Sequence, residues 1–280
     1  MALLVVVLLA APHQQTHRWL RWGPLSFQPS EFAKLMLVIF LAYWLEKRGA
    51  EINGFLRTLL PALVLVGVVL SLILKEPDLG TPVAIVLVSS ALFYLAGLRL
   101  RYFLYLFLAT LPGLYLLVLR VPYRRSRVLA FLDPYADPLG KGFQILQAYI
   151  AVGTGGIDGV GLMEGKQKLF YLPEPHTDFV FAVIGEELGF LGSVAVLALF
   201  AVILWRGLRA ATASSDEFGR LLAIGLTILV VGQALVNMSV VLGLLPTKGI
   251  PLPFVSYGGS SLLVNLLAVG ILLNISQLAS

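Results

Sequence analysis

The stretch Leu172-Pro173-Glu174-Pro175-His176-Thr177-Asp178 places an imidazole and two carboxylates directly before a long apolar run, residues 179–205. That run reads as a membrane helix, and a carboxylate at the mouth of such a helix is costly unless something uses or pairs it. Asp178 has two readings. It or Thr177 caps the helix, with a side-chain oxygen accepting backbone N–H bonds. Alternatively Asp178 is a general base, which needs a nucleophilic hydroxyl within reach and a partly dry site to tune its pKa. His176 is a second base, a substrate donor or an ordinary loop histidine. Glu174 belongs to the same knot, and Pro173 and Pro175 shape its approach.

Other polar residues stand at the ends of, or within, apolar segments. Glu186 and Glu187 follow Asp178 by eight and nine residues, about 12 Å along a helix, with Glu186 nearer the Asp178 face. Carboxylates at that depth face protein or water and take a partner, and pairing with a Lys or Arg outweighs catalysis. Ser30, after Pro29, reads as a helix cap. Glu31 and Lys34 are three apart and pair on one helix face, or Lys34 meets an anion in a cavity; Arg18 and Trp19 fit an interfacial anchor equally well. Glu76 and Asp78 precede Thr81-Pro82, a cap with proline at the first helical position. Two acids there suit a hard divalent cation but do not by themselves make a site. Lys248 sits among Pro246, Gly249, Pro251 and Pro253, and Gly258-Gly259 opens the last helix; a helix N-terminus with small residues favours anions such as phosphate. Gln233 and Asn237 read as interhelical hydrogen-bonding residues.

These residues are carried by a chain of 280 residues, 59% hydrophobic and only 12% charged, against about 25% charged for a soluble domain. Such a composition belongs to a polytopic membrane protein and excludes a soluble domain. There is no cysteine, so no disulfide and no thiol chemistry. Eight apolar segments, near 1–11, 32–45, 59–74, 82–98, 102–119, 179–205, 221–245 and 261–278, predict an all-α membrane helix bundle with about eight transmembrane segments. The first segment lacks the basic start and cleavage site of a signal peptide and is too short to span, so the chain reads as beginning within a helix.

One connection, residues 120–177, is far longer than ordinary loops. It holds the basic cluster Arg120, Arg124, Arg125 and Arg127. It also holds a mildly apolar stretch, residues 143–152, that reads as an interfacial or re-entrant helix. The glycines at 153–161 read as a flexible run and not as a nucleotide fingerprint. Alternating segment direction sorts every polar motif above onto one face and leaves short basic links on the other. Counting Lys and Arg does not orient the bundle, because the motif face draws its excess from the one long loop.

The motifs together resemble the SEDS family. Phe131-Leu132-Asp133-Pro134, residues 166–174 with His176-Thr177-Asp178-Phe179, and Pro246-Thr247-Lys248-Gly249 leading to Ser256-Tyr257-Gly258-Gly259-Ser260-Ser261 carry the likeness. Gln28-Pro29-Ser30-Glu31 and Pro77-Asp78-Leu79-Gly80-Thr81 extend it across essentially the whole chain. Residues 166–171 and 247–249 are closer to the division branch, residues 250–253 to the elongation branch, and Met163-Glu164-Gly165 departs from the small, glycine-rich segment usual there.

The resemblance implies a single ten-helix-type membrane domain over residues 1–280, with its first two helices absent from this chain and residues 120–177 as an extracytoplasmic loop. It implies a peptidoglycan glycosyltransferase of the bacterial cytoplasmic membrane that polymerises lipid II on the extracytoplasmic face. The donor would be glycan linked to undecaprenyl pyrophosphate, and the partner a class B penicillin-binding protein. No nucleic acid and no organic cofactor is implied; a divalent cation, magnesium or manganese, is a candidate with no ligands assigned. Asp178 would be the catalytic base. Arg18, Glu31, Lys34, Asp78, Arg125, Glu174, His176, Lys248 and Ser256 would be substrate-binding residues. A lipid II flippase and a non-catalytic scaffold are the rival classes. The first needs polar groups on both faces, and the second leaves the carboxylate-and-cation cluster unexplained.

Overall fold

The structure, a computed structural model, describes residues 2–10, 18–22, 25–76, 80–169, 171–247 and 249–278. The eight apolar segments all form helices, and the described residues are all-α apart from one short hairpin. In order these are α1 (Ala2–Ala10), the strands β1 (Leu20–Trp22) and β2 (Leu25–Phe27), α2 (Pro29–Arg48), α3 (Leu60–Lys75), α4 (Gly80–Leu95) and α5 (Leu100–Leu119). Then come α6 (Pro122–Leu132), α7 (Phe143–Gly155), α8 (Val180–Ala213), α9 (Glu217–Val241) and α10 (Gly259–Leu278). A π-helical turn, Phe55–Leu59, runs directly into α3. Among the described residues, four helical stretches are long and apolar enough to cross a bilayer: Phe55–Lys75, Val180–Ala213, Glu217–Val241 and Gly259–Leu278. A shorter one is Gly80–Leu95.

The chain divides into two compact units. The first comprises Met1–Leu100, Val202–Gln233 and Gly258–Ser280. Its organising element is α2, which packs against α1, α3, α4 and α10. Leu35, Leu37, Val38, Leu41, Ala42 and Leu45 are buried on α2 while Met36 and Tyr43 are exposed, the one-sided spacing of a helix seated on neighbours. Pro29 opens the helix, where its missing N–H costs nothing. Helix α9 contributes Leu221, Leu226, Leu229 and Val230 to the core. Strands β1 and β2 pair antiparallel, Leu20 opposite Phe27.

Two cap assignments shift. Helix α2 begins at Pro29 with Gln28 before it, so Ser30 lies buried inside the first turn and does not cap it. Helix α4 begins at Gly80, which places Thr81 within the helix. In α2 the proline is itself the first helical residue, one before Ser30; in α4 Gly80 and Thr81 precede Pro82 within the helix.

The second unit comprises Arg101–Ala201 and Ala234–Tyr257. It contains the long connection, which is built as structure: Arg124, Arg125 and Arg127 lie along α6, Arg120 sits in the bend before it, and the apolar stretch forms α7. Helix α8 is 34 residues long, about 50 Å, well beyond the roughly 30 Å hydrocarbon core. It is not continuous. Gly189 adopts φ 64°, ψ −158° and breaks it, leaving a first half of nine residues after the Asp178 loop and a second half long enough to span.

The glycine run before the Asp178 loop is not a free linker. Gly156 and Ile157 accept, through their carbonyls, the N–H groups of Phe190 and Leu191, while the N–H groups of Val160 and Gly161 donate to the carbonyls of Glu186 and Glu187. The break at Gly189 exposes two donors and two acceptors, and residues 156–161 satisfy all four. Gly159 (φ 82°) must be glycine, because a Cβ there would collide with the Glu187 carbonyl.

Candidate active site

The sequence from 171 to 178 is held as a compact turn above α8. Pro173 and Pro175 flank Glu174, which takes φ 55°, a left-handed conformation costing on the order of 1–3 kcal/mol for such a residue. The turn closes on the Glu174 carbonyl, which accepts from Thr177 N (3.3 Å) and Phe179 N (3.4 Å). The Thr177 hydroxyl donates to the Glu174 carboxylate at 3.1 Å. Helical bonding starts at the Phe179 carbonyl, which accepts from Ala182 and Val183. Among the described residues, the non-glycine positions with positive φ are Met163, Glu174 and Phe254, all in segments that frame this turn.

Three successive carbonyls of the turn are each held by a donor from the segment 234–257. His176 O accepts from Tyr257 N at 2.8 Å. Thr177 O accepts from the Ser256 hydroxyl at 2.5 Å, while Ser256 Oγ itself accepts from Leu252 N at 2.7 Å. Asp178 O accepts from Asn237 Nδ2 at 2.8 Å, and the same amide group donates to Ile250 O at 2.7 Å. The backbone under the carboxylate is thereby fixed at consecutive residues, with Asp178 half-buried and His176 exposed. Gly249 comes so close that a Cβ on it would stand 3.1 Å from Asp178 Oδ2. This is the geometry a general base requires: a carboxylate on an immobilised backbone, neither fully solvated nor sealed.

The structure brings Glu174, His176, Asp178 and Ser256 together in this unit. Arg125 is exposed on α6, and its helical neighbour Arg127 donates to Thr247 O at 3.3 Å. That bond ties the basic helix to the residue preceding Lys248. Lys248 and Asp78 lie outside the described residues.

Three further candidates belong to the first unit. Lys34 and Glu31 do pair, Nζ to Oε1 at 2.9 Å, both almost completely buried. Lys34 Nζ also donates to Gln233 Oε1 at 2.8 Å, so the expected interhelical role of Gln233 holds. Glu31 Oε2 is buried with no hydrogen-bond partner. Arg18 Nε donates to the backbone carbonyl of Glu76 at 2.7 Å, a tie that fixes the α3 terminus and was not evident from residue types.

No group of three or more His, Asp or Glu converges as a cation cage among the described residues. Glu31 is already neutralised by Lys34. Of the two acids read as suiting a divalent cation, Glu76 is fully buried at the end of α3 and Asp78 lies outside the described residues.

Residues 1–280 match the family model described as cell cycle protein, of the FtsW, RodA and SpoVE type. The chain belongs to this family. A relative from Geobacter metallireducens, "Probable peptidoglycan glycosyltransferase FtsW", is 50% identical over 259 residues, covering 92% of this chain and 69% of the relative. Stage V sporulation protein E of Bacillus subtilis is 46% identical over 278 residues, covering 98% and 76%. Among solved structures, one from work on the structural coordination of polymerization and crosslinking by a peptidoglycan synthase complex superposes with a TM-score of 0.80 at 34% identity, covering 99% of this chain and 78% of that one. The rod shape determining protein RodA of Thermus thermophilus superposes at 0.68 with 32% identity, covering 99% and 74%. Family membership and the apolar helices make this an integral membrane protein. The carbonyl clamp joins the Asp178 turn to the Ser256-Tyr257 string nearly eighty residues later, through the Ser256 hydroxyl and the Tyr257 N–H.

Sequence reasoning missed part of this. The Tyr257 donor is a backbone amide, and the role of Gly249 depends on a close approach. Asn237 was read as interhelical, yet it joins two loops. Its only legible signal was a carboxamide within an apolar helix.

Proposed function

We propose that this chain is a peptidoglycan glycosyltransferase that polymerises lipid II, with Asp178 as general base. The 4-hydroxyl of the lipid II GlcNAc attacks the anomeric carbon of the growing strand. Asp178 takes the hydroxyl proton as the new glycosidic bond forms. The bond to undecaprenyl pyrophosphate breaks with inversion, α to β, so one displacement suffices and no covalent enzyme intermediate is required. Charge developing on the leaving pyrophosphate calls for positioned cations; Lys248 and Arg125 are the candidates, Lys34 being buried against Glu31 and Gln233, and no step is routed through a metal.

The observation that carries this reading is the clamp on three consecutive carbonyls at 176–178, which orients Asp178 without using its carboxylate. The glycosyltransferase names of the relatives support the reaction class, and 50% identity to an FtsW-named relative favours the division branch. An extracytoplasmic site and a class B penicillin-binding protein as crosslinking partner complete the proposal. It is supported by the similarity to a structure concerned with coordinated polymerization and crosslinking.

Fluorescent lipid II incubated with the full protein and its partner, with and without chelator, tests the reading. Glycan polymer visible on a gel supports it, and the chelator arm reports whether magnesium or manganese is needed. Transbilayer movement of lipid II without polymer would instead indicate a flippase; neither polymer nor movement would indicate a scaffold.

A further inference from the structure

Glu186 and Glu187 are charged residues within an apolar helix, and the reaction as described above gives them no task. Both are accounted for by the chain leading into the Asp178 turn. Glu186, 3% exposed, accepts from Lys166 N at 2.8 Å and from Gln167 N at 3.2 Å through Oε1, and from Gln167 N at 3.2 Å through Oε2. Glu187 accepts from Met163 N at 3.1 Å through Oε2 and pairs with Lys168 Nζ at 2.5 Å through Oε1. The carbonyls of the same two residues hold Val160 and Gly161. Four consecutive functional groups of α8, two backbone and two side-chain, thus grip residues 160–168.

The grip is transmitted toward the turn by short-range bonds. Leu169 N donates to Lys166 O at 3.0 Å and Leu172 N to Gln167 O at 2.8 Å, and Leu172 is buried. The described residues between 163 and 187 run out to the Asp178 turn and back, and the two glutamates close them at the base. The clamp from 234–257 fixes one side of the turn; the glutamate pair fixes the other. Bonds from backbone N–H groups to a carboxylate are charge-assisted and about twice as strong as neutral ones, and a buried carboxylate so satisfied is rigid.

On the reading that Asp178 is the base, we propose that Glu186 and Glu187 are positioning residues for glycosyl transfer. They act through residues 163–172 to set the location of the Asp178 carboxylate, and they touch no substrate. Glu186→Gln keeps the shape but removes the negative charge that assists these bonds and turns an NH2 toward Gln167 N, so it weakens the grip without opening a cavity.

The test is lipid II polymerisation by the full protein with its partner, comparing Glu186→Gln, Glu187→Gln and Asp178→Asn with wild type. Expected is a fall in kcat of at least tenfold for each glutamate variant, with KM within twofold and faster amide hydrogen exchange in residues 163–172. If Glu186→Gln does not accumulate as folded protein, Glu187→Gln, whose carboxylate is less deeply buried, decides. Wild-type kcat in a folded glutamate variant overturns the proposal, as does a loss that disappears once activity is scaled to the folded fraction. Should Asp178→Asn polymerise normally, the reading of the base fails. Should Asp178→Asn be inactive while the glutamate variants turn over normally, only this inference fails.

Discussion

Asn237→Ala is the perturbation whose consequence the structure specifies in most detail. Asn237 is 1% exposed and donates two bonds, to Asp178 O and Ile250 O. Removing the amide deletes both and leaves two carbonyls seeking partners. At about 0.6 kcal/mol per bond, the average between membrane helices, up to about 1.5 for a typical net bond, the pair contributes about 1–3 kcal/mol. One offset exists: Asn237 Oδ1 is buried without a hydrogen-bond partner, and the substitution removes that cost as well. The stability loss should therefore lie toward the lower end, about 1–2 kcal/mol, a shift of a few degrees in thermal unfolding in detergent. Turnover should suffer more, because a displacement of about 1 Å in a positioned group can cost about 100-fold. The assay pairs a melting curve with initial rates of lipid II polymerisation on the same preparation. A variant that melts several degrees lower yet polymerises at the wild-type rate would refute the claim that the carbonyl clamp positions the base.

Other substitutions probe separate parts of the frame. Lys34→Met leaves the Glu31 carboxylate buried without its cation and should destabilise the protein by about 3–5 kcal/mol, read as a lower melting temperature; Lys34→Met with Glu31→Gln should recover most of it. Gly249→Ala places a methyl 3.1 Å from Asp178 Oδ2 and should lower kcat severalfold with little change in melting temperature, measured by polymer formation and thermal unfolding together.

The helices were legible because lipid leaves one solution for an apolar run: all eight segments became helices at nearly the expected places. Their starts were less so. Ser30 and Thr81 have the chemistry of caps, but α2 starts on Pro29 and engulfs Ser30, and α4 starts at Gly80, ahead of Thr81 and Pro82. The break in α8 was invisible, since nothing in the apolar run around Gly189 signals it. Its cause lies some thirty residues upstream, where residues 156–161 supply the missing bonds. For the same reason the glycine run looked flexible. Asp178, His176 and Glu174 stood out in the sequence because their side chains are costly where they sit. What holds them did not, because most of the donors and acceptors are peptide groups, which every residue carries alike. Glu187 found the lysine that its burial demanded; Glu186 found backbone amides instead.

Substitution of Asp178 by asparagine is the most direct measurement. The change preserves shape and leaves the carbonyl clamp intact, since Tyr257, Ser256 and Asn237 address only the backbone. The full protein carrying Asp178→Asn, purified with its partner, should fold and melt as wild type and form no glycan polymer from lipid II. Polymer at near wild-type yield from that protein would contradict the assignment of Asp178 as the base.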